Sequence, residues 1–185
     1  FSQVEFIFSK MNFCSQKGFN KQNIVHKQEI NLKKAYNPLI DNDVVVKNDI
    51  TLDNFGNSLI ITGPNTGGKT VILKTVGLCV YLSHLGFYIP ALEESTVGFF
   101  VKVFVDLGDE QSIENNLSTF SSHMTNIINI LEETNEKSLI LLDELCSGTD
   151  PSEGAVLSIS LLDKFKELNA TMLCTTHYPE IKNYC

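Results

Sequence analysis

An α/β domain, with a mostly parallel central sheet flanked by helices and an antiparallel β part ahead of it, is what this sequence predicts. Three observations carry the prediction. Short apolar runs of strand length alternate with longer stretches of helical spacing between residues 58 and 175, the pattern of a sheet whose parallel strands are joined by helices. One such run, Ser58–Thr62, leads into a glycine-rich loop and then into an amphipathic stretch. Another, Leu139–Leu142, is wholly apolar and ends in two consecutive carboxylates, Asp143 and Glu144.

The elements follow in order. Val4, Phe6, Ile7, Phe8, Met11 and Phe13 crowd the first 13 residues. That crowding predicts the end of a helix, with a strand as the alternative. A polar stretch rich in Lys, Gln and Asn runs from Cys14 to Asn23. Two β-leaning runs, Ile24–Leu32 and Val44–Leu52, are separated by a turn at Asn37-Pro38. Lys69–Leu85 carries apolar residues at helical spacing, and Gly86 is a natural stop. Val97–Val105 reads as one strand, and Asp106–Asn116 as an acidic loop. Ser118 or Thr119 can cap a helix running through Ile127, Ile130 and Leu131. A helix from about Ser152 to Leu168 and a strand Thr171–Thr175 complete the chain.

Composition excludes several classes. With 185 residues and 43% apolar side chains, one large domain can bury roughly 70% of its unfolded surface and needs no covalent staple. Fourteen cations against 22 carboxylates leave a formal charge of −8, which argues against a surface that grips nucleic acid through its phosphates. All 14 cations are Lys; the chain has no Arg. Cys14, Cys79, Cys146, Cys174 and Cys185 are odd in number and form no C-x-x-C pair, so free buried thiols in a reducing cytoplasm are expected rather than a disulfide or zinc framework. No apolar run is long enough for a membrane span. The chain starts at Phe1 without Met or a basic leader, which predicts a piece of something longer rather than a signal peptide.

The chemistry begins at Gly63-Pro64-Asn65-Thr66-Gly67-Gly68-Lys69-Thr70, which fits G-x-x-x-x-G-K-[ST] without mismatch between a strand and a helix. Glycines allow successive backbone N–H groups to surround a phosphate at the positive end of a helix. Lys69 is then placed to bridge β- and γ-phosphates, and the Thr70 hydroxyl to ligate Mg²⁺. Asp143 supplies the metal-side carboxylate, and Glu144 is the candidate to polarise the attacking water. His177, in Thr175-Thr176-His177-Tyr178, follows the last strand, at the sheet edge where α/β domains bind ligands. It is a candidate γ-phosphate contact. The Leu117-Ser118-Thr119-Phe120 turn offers a second helix start suited to an anion.

The stretches GPNTGGKT, DLGDEQSIENNLSTFSSHMTNI, LLDELCSGTDPSEGAVL and TTHY, in this order and spacing, resemble the ATPase domain of the MutS family, within it the second bacterial paralogue. The resemblance covers about Ala35 to Cys185 and implies a P-loop NTPase of the ABC-ATPase type, binding ATP or ADP with Mg²⁺. It implies a head-to-tail homodimer in which the Ser118-Thr119 helix start caps the γ-phosphate held by the other protomer. Asp150 would lie on a loop crossing that interface, and Gln111 near the metal and the attacking water. By the same resemblance residues 1–23 form the end of a lever helix and a linker, and residues 24–185 an ATPase domain whose closing strands lie further on. The resemblance further implies full-length relatives that look like DNA- and ribosome-associated proteins and carry an Smr nuclease domain.

Two departures stand out. Tyr36-Asn37-Pro38 replaces the family's Arg-His-Pro, and Val45 and Val46, at the expected adenine-side loop, offer apolar contact in place of aromatic stacking. Three other readings are a nucleotide-gated interaction module with negligible hydrolysis, the ATPase domain of a mismatch-repair MutS, and a small-molecule kinase. The kinase reading is disfavoured by the missing Arg, which such enzymes use to stabilise a transferring phosphoryl group.

Overall fold

The elements run α1 (Ser2–Lys17), β1 (Asn23–Val25), β2 (Ile30–Ala35), β3 (Asn48–Leu52), β4 (Ser58–Thr62), α2 (Lys69–His84), β5 (Thr96–Gly98), β6 (Lys102–Asp106), α3 (Asn116–Glu133), β7 (Ser138–Leu142), α4 (Pro151–Glu167) and β8 (Thr171–Thr176), closed by a 3₁₀ turn at Pro179–Asn183. This computed structural model describes residues 2–53, 58–64, 67–108 and 116–183, the side chains of 116–119 and 183 excepted. The chain divides into two compact units, Phe1–Asn54 with Lys74–Phe99 and Phe55–Leu73 with Phe100–Cys185.

Three helices end by one device. After α1 the Phe19 N–H reaches the Cys14 carbonyl at 2.9 Å and the Gly18 N–H the Ser15 carbonyl at 3.2 Å, with Gly18 at φ +66°. This crossed pair of bonds needs a left-handed residue just past the helix, which glycine adopts without a Cβ penalty. Gly86, at φ +75°, closes α2 in the same way, as its position predicts, and Asn169, at φ +54°, closes α4. The first helix therefore runs four residues beyond Phe13, through exposed Ser15, Gln16 and Lys17, until Gly18 stops it.

In the first unit the sheet order is β1-β5-β2-β3. The β2–β3 and β2–β5 pairs are antiparallel, but β1 and β5 run parallel, so this part is mixed rather than purely antiparallel. The expected run Ile24–Leu32 is broken into β1 and β2, and the expected Val44 start of the next strand moves to Asn48. The physical reason for the second change is a turn: the N–H groups of Val44 and Val45 both bond to the Asp41 carbonyl.

Val97–Val105, expected as one strand, is two strands in two different sheets. Gly98 ends the first, where a Cβ would fall 2.3 Å from the Lys27 carbonyl oxygen. Val101 then bonds through its N–H to the Lys137 carbonyl, and the chain joins the second unit.

The second unit contains a four-stranded, wholly parallel sheet in the order β4-β8-β7-β6. Every residue of β7 and β8 is buried, whereas β4 and β6 are only partly so. Uninterrupted apolar runs such as Leu139–Leu142 belong in strands covered on both faces. Ile140, Leu142, Met172 and Cys174 from the central strands pack with Ile127 and Ile130 of α3 and with Leu161, Leu162 and Phe165 of α4. Cys14, Cys79, Cys146 and Cys174 are buried and form no disulfide, and burial pushes the Cys79 thiol up to about 12. Among the described residues no helix is long and apolar enough to cross a membrane.

Candidate functional site

Parallel register gathers the site. Thr62 of β4 pairs with Thr176 of β8, and Leu142 of β7 pairs with Cys174. Gly63, Asp143 and His177, the residues that follow these strands, therefore emerge at one edge of one sheet. That is the edge where ligands bind in open α/β sheets. Asp106, the last residue of β6, is in register with Leu142 and belongs to the same edge.

The glycine-rich loop leaves β4 at Gly63, φ +153°, and enters α2 after Gly68, φ +74°. Neither value suits a side chain. Gly67 donates its N–H to the Pro64 carbonyl at 3.0 Å, closing a tight turn. A Cβ built on Gly63, Gly67 or Gly68 meets nothing within 4 Å, so open space lies beside the loop backbone. Lys69 opens α2, is buried, and donates through Nζ to the Gly63 carbonyl at 2.6 Å; Thr70 is half-buried beside it. Asn65 and Thr66 lie outside the described residues.

The carboxylate side is held by β8. Asp143 is buried, its N–H bonds to the Asp106 carbonyl at 2.8 Å, and its Oδ1 accepts from the Thr175 hydroxyl at 2.5 Å. Among the described residues no side-chain cation forms an ion pair with it. A buried carboxylate of this kind, with the Thr70 hydroxyl on the same unit, fits the hard-oxygen chemistry of Mg²⁺. Among the described residues no group of three His, Cys, Asp or Glu side chains is placed to hold a metal ion; Mg²⁺ usually keeps several waters and binds through one or two carboxylates together with phosphate.

Glu144 is half-buried and stands at φ +50°, with Cys146 at φ +58° two residues on. Left-handed backbone costs a non-glycine residue roughly 1–2 kcal/mol, and such conformations persist only where surroundings over-determine them. Here four bonds do so. Thr175 Oγ1 accepts from the Glu144 N–H at 2.8 Å, the Thr175 carbonyl from the Leu145 N–H at 3.0 Å, and the Glu144 carbonyl from the Ser147 N–H at 2.9 Å. The Tyr178 hydroxyl donates to the Cys146 carbonyl at 2.7 Å. Burial raises the Tyr178 phenol above its usual range, with Cys146 and Asp150 adding to the effect, which keeps it a donor.

Gly154 of α4 makes room for that phenol, since a Cβ there would sit 2.2 Å from Tyr178 Oη and 3.2 Å from the Cys146 carbonyl oxygen. The expected result for Gly154→Ala is a loss of about 1–3 kcal/mol from overpacking, against a helix-propensity gain of about 1 kcal/mol. Denaturant unfolding should therefore find the variant less stable on balance, and a more stable one would show that the ring has room to move.

Asp150 is the N-cap of α4. Its Oδ1 accepts from the Ser152 N–H at 2.9 Å, the Glu153 N–H at 3.3 Å and the Ser152 hydroxyl. These bonds, the hydroxyl's foremost, hold its carboxyl below the usual range. His177 is exposed, with its ring 4.3 Å from that of Tyr178. Ser118 and Thr119 lie inside the first turn of α3, which starts at Asn116, so neither is the cap of the described helix; their side chains lie outside the described residues, as does Gln111. Val45 is half-buried and Val46 exposed, on the first unit. That unit has an open cavity of about 520 Å³ lined by Tyr36, Pro38, Ile40 and Asp41 among others, but by neither valine.

Sequence reasoning did not single out Thr175, Tyr178 or the Asp106–His123 pair. Asp106 Oδ2 and His123 Nδ1 are 2.8 Å apart, and Asn126 Nδ2 adds a bond to Asp106 Oδ1 at 3.3 Å, tying β6 to α3. The i, i+3 spacing of His123 and Asn126 on a helix was the available signal for that tie.

Comparison with known proteins decides the family, because residues 59–185 match MutS domain V. The chain belongs to the MutS family. The chain is 49% identical over 183 residues to an endonuclease MutS2 of Bacillus mycoides, covering 99% of this chain and 23% of that protein. It is 52% identical over 181 residues to endonuclease MutS2 of Pediococcus pentosaceus and 52% over 182 residues to that of Clostridium kluyveri, at 98% of this chain in each case. The chain thus spans about a quarter of the length of these relatives. The MutS domain V match includes the glycine-rich loop, Asp143, Glu144 and His177.

Proposed function

We propose that this chain is the ATP-binding and ATP-hydrolysing domain of a MutS2-type protein, a P-loop NTPase of the ABC-ATPase type. The observation that carries the reading is the meeting of the Gly63–Thr70 loop, Asp143, Glu144 and His177 at one edge of a parallel sheet. In this reading the backbone N–H groups of the loop and Lys69 hold the phosphates. Lys69 exchanges its bond to the Gly63 carbonyl for phosphate oxygens. Thr70 and Asp143 hold Mg²⁺, which when bound neutralises charge on the phosphate oxygens. Glu144 accepts a proton from the attacking water, and His177 donates toward the γ-phosphate.

The partner contribution belongs to the same proposal: in a homodimer the first turn of α3, with Ser118 and Thr119, faces the other protomer's γ-phosphate, with Asp150 and Gln111 near the shared site. Val45 and Val46 are proposed adenine-side contacts. DNA or ribosome association and nuclease activity would reside in parts of the protein other than these residues. The identity to proteins named endonuclease MutS2 favours that type over a mismatch-repair MutS. The absence of Arg lends support to a second reading, a nucleotide-gated dimerisation module that hydrolyses negligibly; turnover measured in the intact protein separates the two.

Titration of a fluorescent ATP analogue against wild type and Lys69→Ala tests nucleotide binding. Loss of charge-assisted hydrogen bonds to phosphate, each worth about 1.5–3 kcal/mol, should weaken affinity roughly 10- to 100-fold. Equal affinity would remove the loop from the site.

A further inference from the structure

We infer that Thr175 is a positioning residue that sets both site carboxylates, fixing which oxygen of Asp143 is presented to a cation and where Glu144 stands. The inference rests on the ATPase reading for what Asp143 and Glu144 do. It starts from a hydroxyl with one proton, in a strand where every residue is buried. An ionised Asp143 can only accept, and the Glu144 N–H can only donate. The Thr175 hydroxyl must therefore donate to Asp143 Oδ1, at 2.5 Å, and accept from the Glu144 N–H, at 2.8 Å. Its rotor has one orientation that satisfies both.

The consequence for Asp143 is directional. Oδ1 is occupied by Thr175, and no hydrogen bond from another described residue reaches Oδ2. The free oxygen is the one available to a hard cation. For Glu144 the consequence is conformational, because the bond from its N–H is one of the four that hold the left-handed turn. One hydroxyl thus couples the metal-side carboxylate to the candidate base, and it comes from the same strand end that carries His177. Groups that orient a metal-binding carboxylate in this manner typically matter by 10- to 100-fold in metal affinity or activity.

The test compares Thr175→Val, which removes the hydroxyl at similar size, with Thr175→Ser, which keeps it. In the intact protein Thr175→Val should lower kcat by roughly 10- to 100-fold and raise the Mg²⁺ concentration for half-maximal turnover. Nucleotide affinity without Mg²⁺ should stay within about threefold, because the glycine-rich loop is untouched. Amide hydrogen exchange at Glu144 should quicken in Thr175→Val and stay near wild type in Thr175→Ser. Thr175→Ser should also recover most of the turnover. Wild-type kcat, Mg²⁺ dependence and exchange in Thr175→Val would overturn the inference, as would a Thr175→Ser variant impaired as much as Thr175→Val. If Thr175→Val does not fold, Thr175→Cys, with a weaker donor of similar size, should show the same changes to a smaller degree; no change would again overturn it. A wild type that neither turns over ATP nor loses nucleotide affinity on Lys69→Ala would instead overturn the ATPase reading. The Glu144 exchange rate would then still decide whether Thr175 sets the turn.

Discussion

Glu144→Gln should leave nucleotide binding in place while stalling turnover by a factor on the order of 10²–10⁴, the usual worth of a positioned general base. The amide keeps the size of the carboxylate and leaves Asp143, its bond to Thr175 and the Gly63–Thr70 loop unchanged. The four bonds that hold the Glu144–Ser147 turn use backbone groups of that turn, not the Glu144 side chain. The substitution therefore removes a proton acceptor without releasing the loop. Single-turnover measurements on the intact protein, beside equilibrium nucleotide binding, check this. Unchanged kcat would move the base role to His177 or Gln111.

The second large effect follows from composition. A transferring γ-phosphoryl group needs positive charge around its equatorial oxygens, and an arginine finger commonly contributes 10³–10⁵ in rate. With no Arg in 185 residues, neither this chain nor an identical copy of these residues can supply one. What remains is Lys69, His177, Mg²⁺ and, in the proposed dimer, the backbone N–H groups at the start of a partner's α3. The isolated chain should hydrolyse ATP slowly while still binding it, and turnover per chain should rise with protein concentration as pairs form. Sedimentation and turnover across one concentration series provide the check. Brisk turnover by a monomer, independent of concentration, would exclude a two-subunit site.

The legible parts of the sequence were those where backbone and chemistry require the same residues. The loop from Gly63 to Thr70 needs glycine where φ is positive and Lys at the helix start, and both requirements are visible as letters. Leu139–Leu142 reads as a central strand because nothing polar interrupts it, and Gly86 marks a helix end that needs a left-handed residue. Val97–Val105 misled because β-branched and aromatic residues favour extended backbone on either side of a junction; nothing local states that Gly98 and Lys102 serve different sheets. Thr175 and Tyr178 were silent for a related reason. A hydroxyl in a buried strand signals that it needs a partner, but the partners, 31 and 32 residues away in sequence, are set by register.

The order β4-β8-β7-β6 also bears on how the chain is made. The strand between the one that leads to the glycine-rich loop and the one that leads to Asp143 is β8, which follows both of them in the sequence. A nascent chain translated only as far as α4 has both halves of the site but lacks the strand that spaces them. Thr62 must wait for Thr176, more than a hundred residues later, before β4 gains its neighbour. Long-range pairings of this kind slow folding and leave strand edges open during synthesis. Gly63 and Asp143 therefore reach their places along one sheet edge only after β8 has been translated and has paired with both neighbours.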